Sequence, residues 1–256
     1  MAKDSARIDA EVLVDTAWET ADPARRAKFA RKALALDPAA IDAYVILASG
    51  AETDAERVAL LREGVARGDV LWKQHLKRPP DGFFWAQIET RSYLRAMHNL
   101  ALALWNIGDR EDAAKAADRI LGLNANDNQG IRYLALAWHP VLGNWARVEA
   151  LLDRYQEDEG AECLFAKCLN CIRTGSGAEA ALIAAMEANP HVPKFLLAPR
   201  PRKSETTGGF VEVGSPTEAA SYAAFNREAW ASVPHALDWL RAAAKALNSK
   251  ARRARS

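Results

Sequence analysis

The chain has no apolar run approaching the ~18 residues that a bilayer-spanning helix needs, so no membrane partner is expected. Its first residues, MAKDSARIDAEVLVD, are interrupted by acids and lack a continuous apolar core, which argues against a secretory signal. Cysteine is scarce. Cys163, Cys168 and Cys171 are odd in number and fit a reducing compartment, so a cytoplasmic location is expected. One C-x-x-C pair without a second pair does not make a four-ligand zinc site, and the other histidines, His75, His191 and His235, have no Cys or His near them in sequence. Buried small hydrophobes account better for the cysteines, and no metal is expected. Net charge is nearly absent, +1 over 256 residues, which argues against nucleic-acid affinity across the whole surface. There is no Walker loop, G-x-S-x-G elbow, H-E-x-x-H or G-x-G-x-x-G. No cofactor is expected, and an enzyme is disfavoured.

What the chain does contain is helical periodicity. Between residues 93 and 130, Leu94, Met97, Leu100, Ala101 and Leu104 form one apolar stripe. Gly108-Asp109 punctuates, and Ala113, Ala116, Ala117, Ile120 and Leu121 form a second stripe before the Asn-rich run 124–128. Such a hairpin cannot bury its apolar face alone and belongs in an array. Three segments end alike, RKALALDP, RILGLNAN and AAMEANP, closing at Pro38, near Ala125 and at Pro190. Ala125 to Pro190 is close to two periods of ~34 residues, and Pro38 to Ala125 is two periods plus roughly twenty residues. The excess coincides with 70–91, the least repeat-like segment. The spacing predicts an all-α, right-handed solenoid of about five degenerate tetratricopeptide-like hairpins, with one insertion at about 70–91.

Helices are predicted over 8–20, 23–37, 41–48 and 55–66, with Gly68 ending the last of these. Asp22-Pro23 is a helix start, because Asp caps and Pro is tolerated in the first turn. After the central hairpin, helices are predicted over 129–138, 145–155, 163–172 and 178–188. The solenoid then spans 1–190. Periodicity is lost over 191–216, a Pro- and Gly-bearing connector read as irregular. Helices over 217–232 and 235–248, carrying Trp230, Leu237, Trp239 and Leu240, form a C-terminal cap for the last repeat. Residues 249–256 are a basic tail read as disordered.

The segments FFWAQIETRSYLRA, LALALWNIGDREDA, GLNANDNQGIRYL, NPHVPKFLL and ALDWLR together resemble the bacterial relatives of the suppression of tumorigenicity protein seven family, which are tetratricopeptide-like helical proteins. The likeness covers roughly residues 72–240 and is strongest over 84–134. The chain departs from the pattern at Ser92 and Ala125, where the family more usually has Pro, and over 198–215. The resemblance implies a helical fold and a soluble, interaction-type role. It carries over no catalytic residues.

In such repeats the first helix of each hairpin lines the groove where peptides bind. The groove-facing offsets fall on Arg95, His98, Asn99 and Asn106 in the central hairpin, and on Gln129, Arg132 and Tyr133, extending to His139, in the next. Two arginines beside amide side chains suit an acidic peptide or a free C-terminal carboxylate, since Arg binds carboxylates bidentately and Asn bonds peptide backbone. On this reading Arg132→Ala weakens binding and barely touches stability. The competing account is a solvated polar face with Arg132 paired locally. The turn 124–130 is rich in side chains that cap backbone groups and is read as structural, with a ligand role for Asn128 or Gln129 as the alternative. Phe83, Phe84 and Trp85 cannot share one helical face, and they are read as packing over the repeat edge, with groove narrowing as the alternative. The expected function is a non-catalytic protein- or peptide-binding scaffold of open oligomeric state. The rivals are a nucleic-acid adaptor using Lys194, Arg200, Arg202, Lys203 and the basic residues from Lys250 to Arg255, and an enzyme with a polar pocket of Glu89, Arg91, Arg95 and His98.

Overall fold

A computed structural model of the chain describes residues 2–78, 82–200 and 211–253, and the side chains of 5–78, 82–200 and 211–249. The turn residues Pro79, Pro80 and Asp81, the connector cations Arg202 and Lys203, and the side chains of Lys250 to Arg255 lie outside them. The fold is all-α, with no strand among the described residues. It divides into two compact units, residues 1–131 and 132–256.

The N-terminal unit holds α1 (Ala2–Glu19), α2 (Pro23–Leu36), α3 (Ile41–Ser49), α4 (Asp54–Leu71), α5 (Lys73–Lys77), α6 (Phe83–Ala86), a 3-10 turn (Ile88–Thr90), α7 (Arg91–Asn106) and α8 (Arg110–Leu123). α1 pairs with α2, α3 with α4, and α7 with α8; α2 also packs on α3 and α4 on α7, while first helices touch first helices, α1 on α3 and α3 on α7. Alanine permits the close approach. Ala10, Ala17, Ala30, Ala33 and Ala43 are fully buried where α1, α2 and α3 meet, with Val14 and Ile46 filling between them. Starts follow the capping chemistry: Asp22 Oδ1 accepts the Arg25 amide at 2.7 Å, and Thr53 Oγ1 accepts that of Glu56 at 3.1 Å.

Gly68 does not end α4, which runs on to Leu71. A Cβ at this glycine would stand 2.1 Å from Cδ2 of Tyr93, so the residue is small to admit a ring of α7. Asp69 and Arg119 fix that ring from its far end: the Tyr93 hydroxyl donates to Asp69, and Arg119 Nη2 donates to Asp69 Oδ1 and to the Tyr93 oxygen, both at 2.6 Å. The aromatics of the insertion pack in different directions. Phe84 is fully buried against Tyr93, Phe83 stacks on His75 at 4.4 Å, and Trp85 lies under the Arg91 guanidinium at 4.7 Å.

The C-terminal unit holds α9 (Ile131–Val141), which begins at the boundary, then α10 (Trp145–Arg154), α11 (Ala161–Thr174), α12 (Ala178–Ala188), α13 (Val192–Leu196), α14 (Pro216–Ser232) and α15 (Ala236–Arg253). Its core gathers Phe165, Leu169 and Leu182 with Tyr222, Trp230 and Leu240. The indole of Trp230 donates to the Tyr222 oxygen at 2.9 Å, so the one polar atom of the largest core side chain is satisfied. Residues 191–216 are not wholly irregular. Pro193 is tolerated in the first turn of α13, whose Val192 and Leu196 are buried in this core. Asn189, fully buried, donates to Ser215 O and Glu218 Oε2, and Glu218 also accepts the Gly214 amide at 2.8 Å, which ties the α12 corner to the start of α14. α15 continues to Arg253, into the stretch expected to be tail.

Candidate functional site

α7 buries half of its sixteen residues, and the other half form one stripe along a single side: Arg91 and Ser92, Arg95, His98 and Asn99, Leu102, then Trp105 and Asn106. The i, i+3/i+4, i+7 spacing makes this one face of a helix. The structure therefore brings Arg95, His98, Asn99 and Asn106 together on the accessible side of α7.

Arg95 is not a free cation on that face. Its guanidinium pairs with Asp42 of α3 and lies 5.8 Å from the centre of the Trp18 ring of α1. One row thus crosses the first helices of three hairpins, from Trp18 through Asp42 to Arg95. The Asn99 amide donates to the Arg95 carbonyl at 2.9 Å. His98 is mostly covered. Burial lowers its pKa below the ordinary value of 6.5, more than the Asp127 carboxylate raises it, so the imidazole is neutral at pH 7.

Below Arg95 the stripe borders a cleft of roughly 220 Å³ within the N-terminal unit. Val45 and Ala48 of α3, Leu61 of α4, and Leu102 and Ala103 of α7 make its apolar walls. Ser49, Arg57, Asn99 and Asn106 make its polar rim. Arg57 is held in place by Nε donating to the Ala48 carbonyl at 3.3 Å and by an ion pair with Asp54. Chemically this is an apolar slot edged by amides and one cation, with no acid in its lining.

Gln129 does not belong to a helix face. α9 starts at Ile131, because Asp127, in the left-handed region at φ 50°, turns its Oδ1 to accept the Ile131 amide at 2.7 Å, and Gly130 follows at φ 71°. Gln129 sits in the turn ahead of the helix. Asn124 and Asp127 are buried there, in keeping with a structural turn.

Arg132 and Tyr133 occupy a different environment, inside the C-terminal unit. Arg132 Nε donates to Asp158 Oδ2 at 2.7 Å and Nη2 to the Tyr133 oxygen at 2.6 Å; the Tyr133 hydroxyl donates to the same carboxylate oxygen at 3.0 Å. The guanidinium carbon lies 4.2 Å from the Tyr133 ring centre and 5.3 Å from that of Tyr155. Side-chain exposure is 18% for Arg132 and 14% for Asp158. Burial pushes the Asp158 carboxyl up, but the Gly160 amide, Arg132 and Tyr133 outweigh it and hold the pKa below the ordinary value. The expectation that Arg132→Ala barely touches stability presupposes an exposed charge. The structure corrects it: this arginine is a brace across the turn before α11. His139, about two turns further on, is buried.

The polar pocket of Glu89, Arg91, Arg95 and His98 does not converge. Arg91 Nε turns back to the Trp85 carbonyl at 3.0 Å, Arg95 turns to α3, and Glu89 is exposed. Of the connector cations, Lys194 and Arg200 are described and exposed. Cys163 and Cys168 are buried on α11, where burial pushes both thiols up to about 12. Among the described residues no cluster of His, Cys, Asp or Glu is arranged to hold a metal, and no helix is long and apolar enough to cross a membrane. Sequence reasoning missed Trp18, Asp42, Arg57 and Asp158. Each acts on a residue of another helix or turn, for which periodicity carries no signal.

No protein-family profile matches the chain. It is 26% identical over 264 residues to the human protein named Suppressor of tumorigenicity 7 protein-like, in an alignment covering 90% of this chain and 44% of that protein. The chain thus spans less than half the length of the curated relative it matches. The similarity points toward that family and assigns no activity, partner or site residue.

Proposed function

We propose that the chain is a non-catalytic scaffold that binds a peptide segment of a partner protein on the α7 face of its N-terminal unit. The observation that carries this reading is the juxtaposition of Asn99 and Asn106, on the one accessible stripe of α7, with the apolar slot against α3 and α4. Amides at a slot's edge bond an extended backbone while the slot takes a side chain. The lining itself holds Arg57 and no acid, and the guanidinium, although already paired with Asp54, has further N–H groups that suit an acidic residue or a terminal carboxylate beside an aliphatic one. In the same reading the hairpins are tetratricopeptide-like units of a right-handed solenoid of about five repeats, α14 and α15 cap it, the chain is cytoplasmic, and its kin are the bacterial relatives named above. Packing of first helix on first helix, and of each second helix on the next first one, supports the repeat assignment in the N-terminal unit.

The test is selection from a random peptide library on the full chain, followed by titration of the selected peptides against wild type and Asn99→Ala/Asn106→Ala. Loss of two backbone hydrogen bonds should lower affinity by about 1–3 kcal/mol in all. Equal affinity in a variant with an unchanged melting curve would remove the α7 face from consideration.

A further inference from the structure

Where α4 runs into α5, the nine residues Val70 to Arg78 carry three cations, Lys73, Lys77 and Arg78, and no acid. The helical hydrogen-bond ladder passes through Trp72: its amide donates to the Gly68 carbonyl at 2.9 Å, and its carbonyl accepts the Leu76 amide at 3.0 Å. Lys73, Gln74 and Lys77 share one face of α5, with Val70 and Leu71 at the end of α4 and Arg78 adjoining them in sequence, and all six are exposed. Val70 is 75% exposed and Leu71 50%. Adjacent aliphatics left this open on a soluble surface mark a contact site more often than an isolated exposed leucine does.

The ground beneath the strip is aromatic. Trp72 meets His75 at 5.8 Å and Phe83 at 6.2 Å, and Phe83 stacks on His75. Thr90 Oγ1 donates to the Phe84 carbonyl at 2.6 Å, which ties the 3-10 turn and its exposed Ile88 to the same cluster. The acid next to the strip, Asp69, is turned to Tyr93 and Arg119 and so is already neutralised. Among the described residues of 70–91, Glu89 is the exposed acid.

We propose that this strip docks the protein onto an anionic lipid surface. Val70 and Leu71 enter the boundary between headgroups and acyl chains, Lys73, Lys77 and Arg78 pair with lipid phosphates and carboxylates, and the half-exposed Trp72 and Phe83 lie at headgroup level. The aliphatics stand on the outside of a helix rather than in a slot. That geometry suits a fluid surface better than the side chains of an acidic protein segment. The site is separate from the α7 cleft, does not depend on peptide binding there, and adds a membrane-surface partner to a chain without a spanning helix among its described residues.

Co-sedimentation of the full chain with phosphatidylcholine vesicles, with and without phosphatidylserine, at low and raised salt, tests this. Binding is expected only where phosphatidylserine is present, and it should weaken with salt. Each cation is worth roughly fivefold near such a surface, so Lys73→Gln/Lys77→Gln/Arg78→Gln should weaken binding on the order of a hundredfold. Val70→Ser/Leu71→Ser should weaken it while leaving the salt dependence and the helical spectrum unchanged. Equal binding by wild type and both variants would overturn the proposal and move the affinity elsewhere on the chain. Capture by poly-glutamate without vesicle binding would overturn it in favour of an acidic protein partner.

Discussion

Arg95, the fifth residue of α7 in the N-terminal unit, and Arg132, the second residue of α9 in the C-terminal unit, were both expected to face a binding groove, and the fold uses them in opposite ways. Arg95 keeps 43% of its side chain exposed while pairing with Asp42, whereas Arg132 keeps 18% and is enclosed by Asp158, Tyr133 and Tyr155. The difference comes from what faces each helix. α7 looks across a slot to α3, whereas the chain after α10 turns its 155–158 segment, closed by the Asp158 amide on the Tyr155 carbonyl, onto Arg132. Helical spacing thus says which way a side chain leaves its helix. Whether solvent or protein lies in that direction is set by segments far along the chain.

If the C-terminal unit is held chiefly by its interior, Trp230→Ala should be the most damaging single change. The ring is fully buried, and its removal strands the Tyr222 hydroxyl as well. A loss of about 4 kcal/mol is expected from urea unfolding. A loss below about 1 kcal/mol, the level of a surface substitution, would mean that the unit's stability lies elsewhere and would break the comparison.

The sharpest contrast comes next. Arg132→Ala leaves the Asp158 carboxylate buried without its cation and should cost about 3 kcal/mol, the low end for breaking a buried pair, because both side chains keep some exposure. Arg95→Ala should cost less than Arg132→Ala, because the Arg95 side chain is 43% exposed and water reaches the pair from that side, although Asp42, at 17%, also loses its cation. Asp158→Asn should resemble Arg132→Ala, and the double variant should cost less than the sum of the two. Similar values for Arg95→Ala and Arg132→Ala would erase the distinction between face and brace.

Gly68 shows that the N-terminal unit also has a demanding interior. Gly68→Ala drives a methyl into the Tyr93 ring, which cannot swing away because Asp69 and Arg119 hold its hydroxyl, and about 2 kcal/mol of destabilisation is expected. Gly122 lies within α8 with nothing within 4 Å of a Cβ, so Gly122→Ala should stabilise by about 0.5–1 kcal/mol. Opposite signs at two helical glycines would show that close approach, rather than helix propensity, keeps Gly68.

These glycines also mark what could be read from sequence. Helix starts governed by neighbouring residues were legible: Asp22-Pro23 caps α2 as expected, and α12 occupies the predicted span 178–188. The face of α7 was legible too, because its apolar and polar residues alternate at helical spacing. Gly68 was read as a stop since its partner, Tyr93, lies in another helix, and Gln129 was placed on a helix because the Asp127 cap on Ile131 delays the start of α9. Arg132 and Arg95 meet carboxylates 26 and 53 residues away. Periodicity over a dozen residues carries no information about such pairs.

The smallest expected effect probes how open the α7 face is. His98 belongs to the stripe, yet burial lowers its pKa below 6.5, and Asp127 offsets only part of that shift. The unfolded chain, with histidine near its ordinary value, therefore binds a proton over a range of pH in which the folded chain does not. Stability rises with pH wherever the unfolded state binds more protons. The contribution is complete above about pH 6.5 and is lost as pH falls from there toward the folded value. Melting temperatures from pH 8 to pH 5 should fall more for wild type than for His98→Gln, which cannot titrate, and the two curves should run parallel above pH 7. If they run parallel throughout, His98 is solvated like a free imidazole, and the α7 stripe is more open than the half-covered face on which the slot depends.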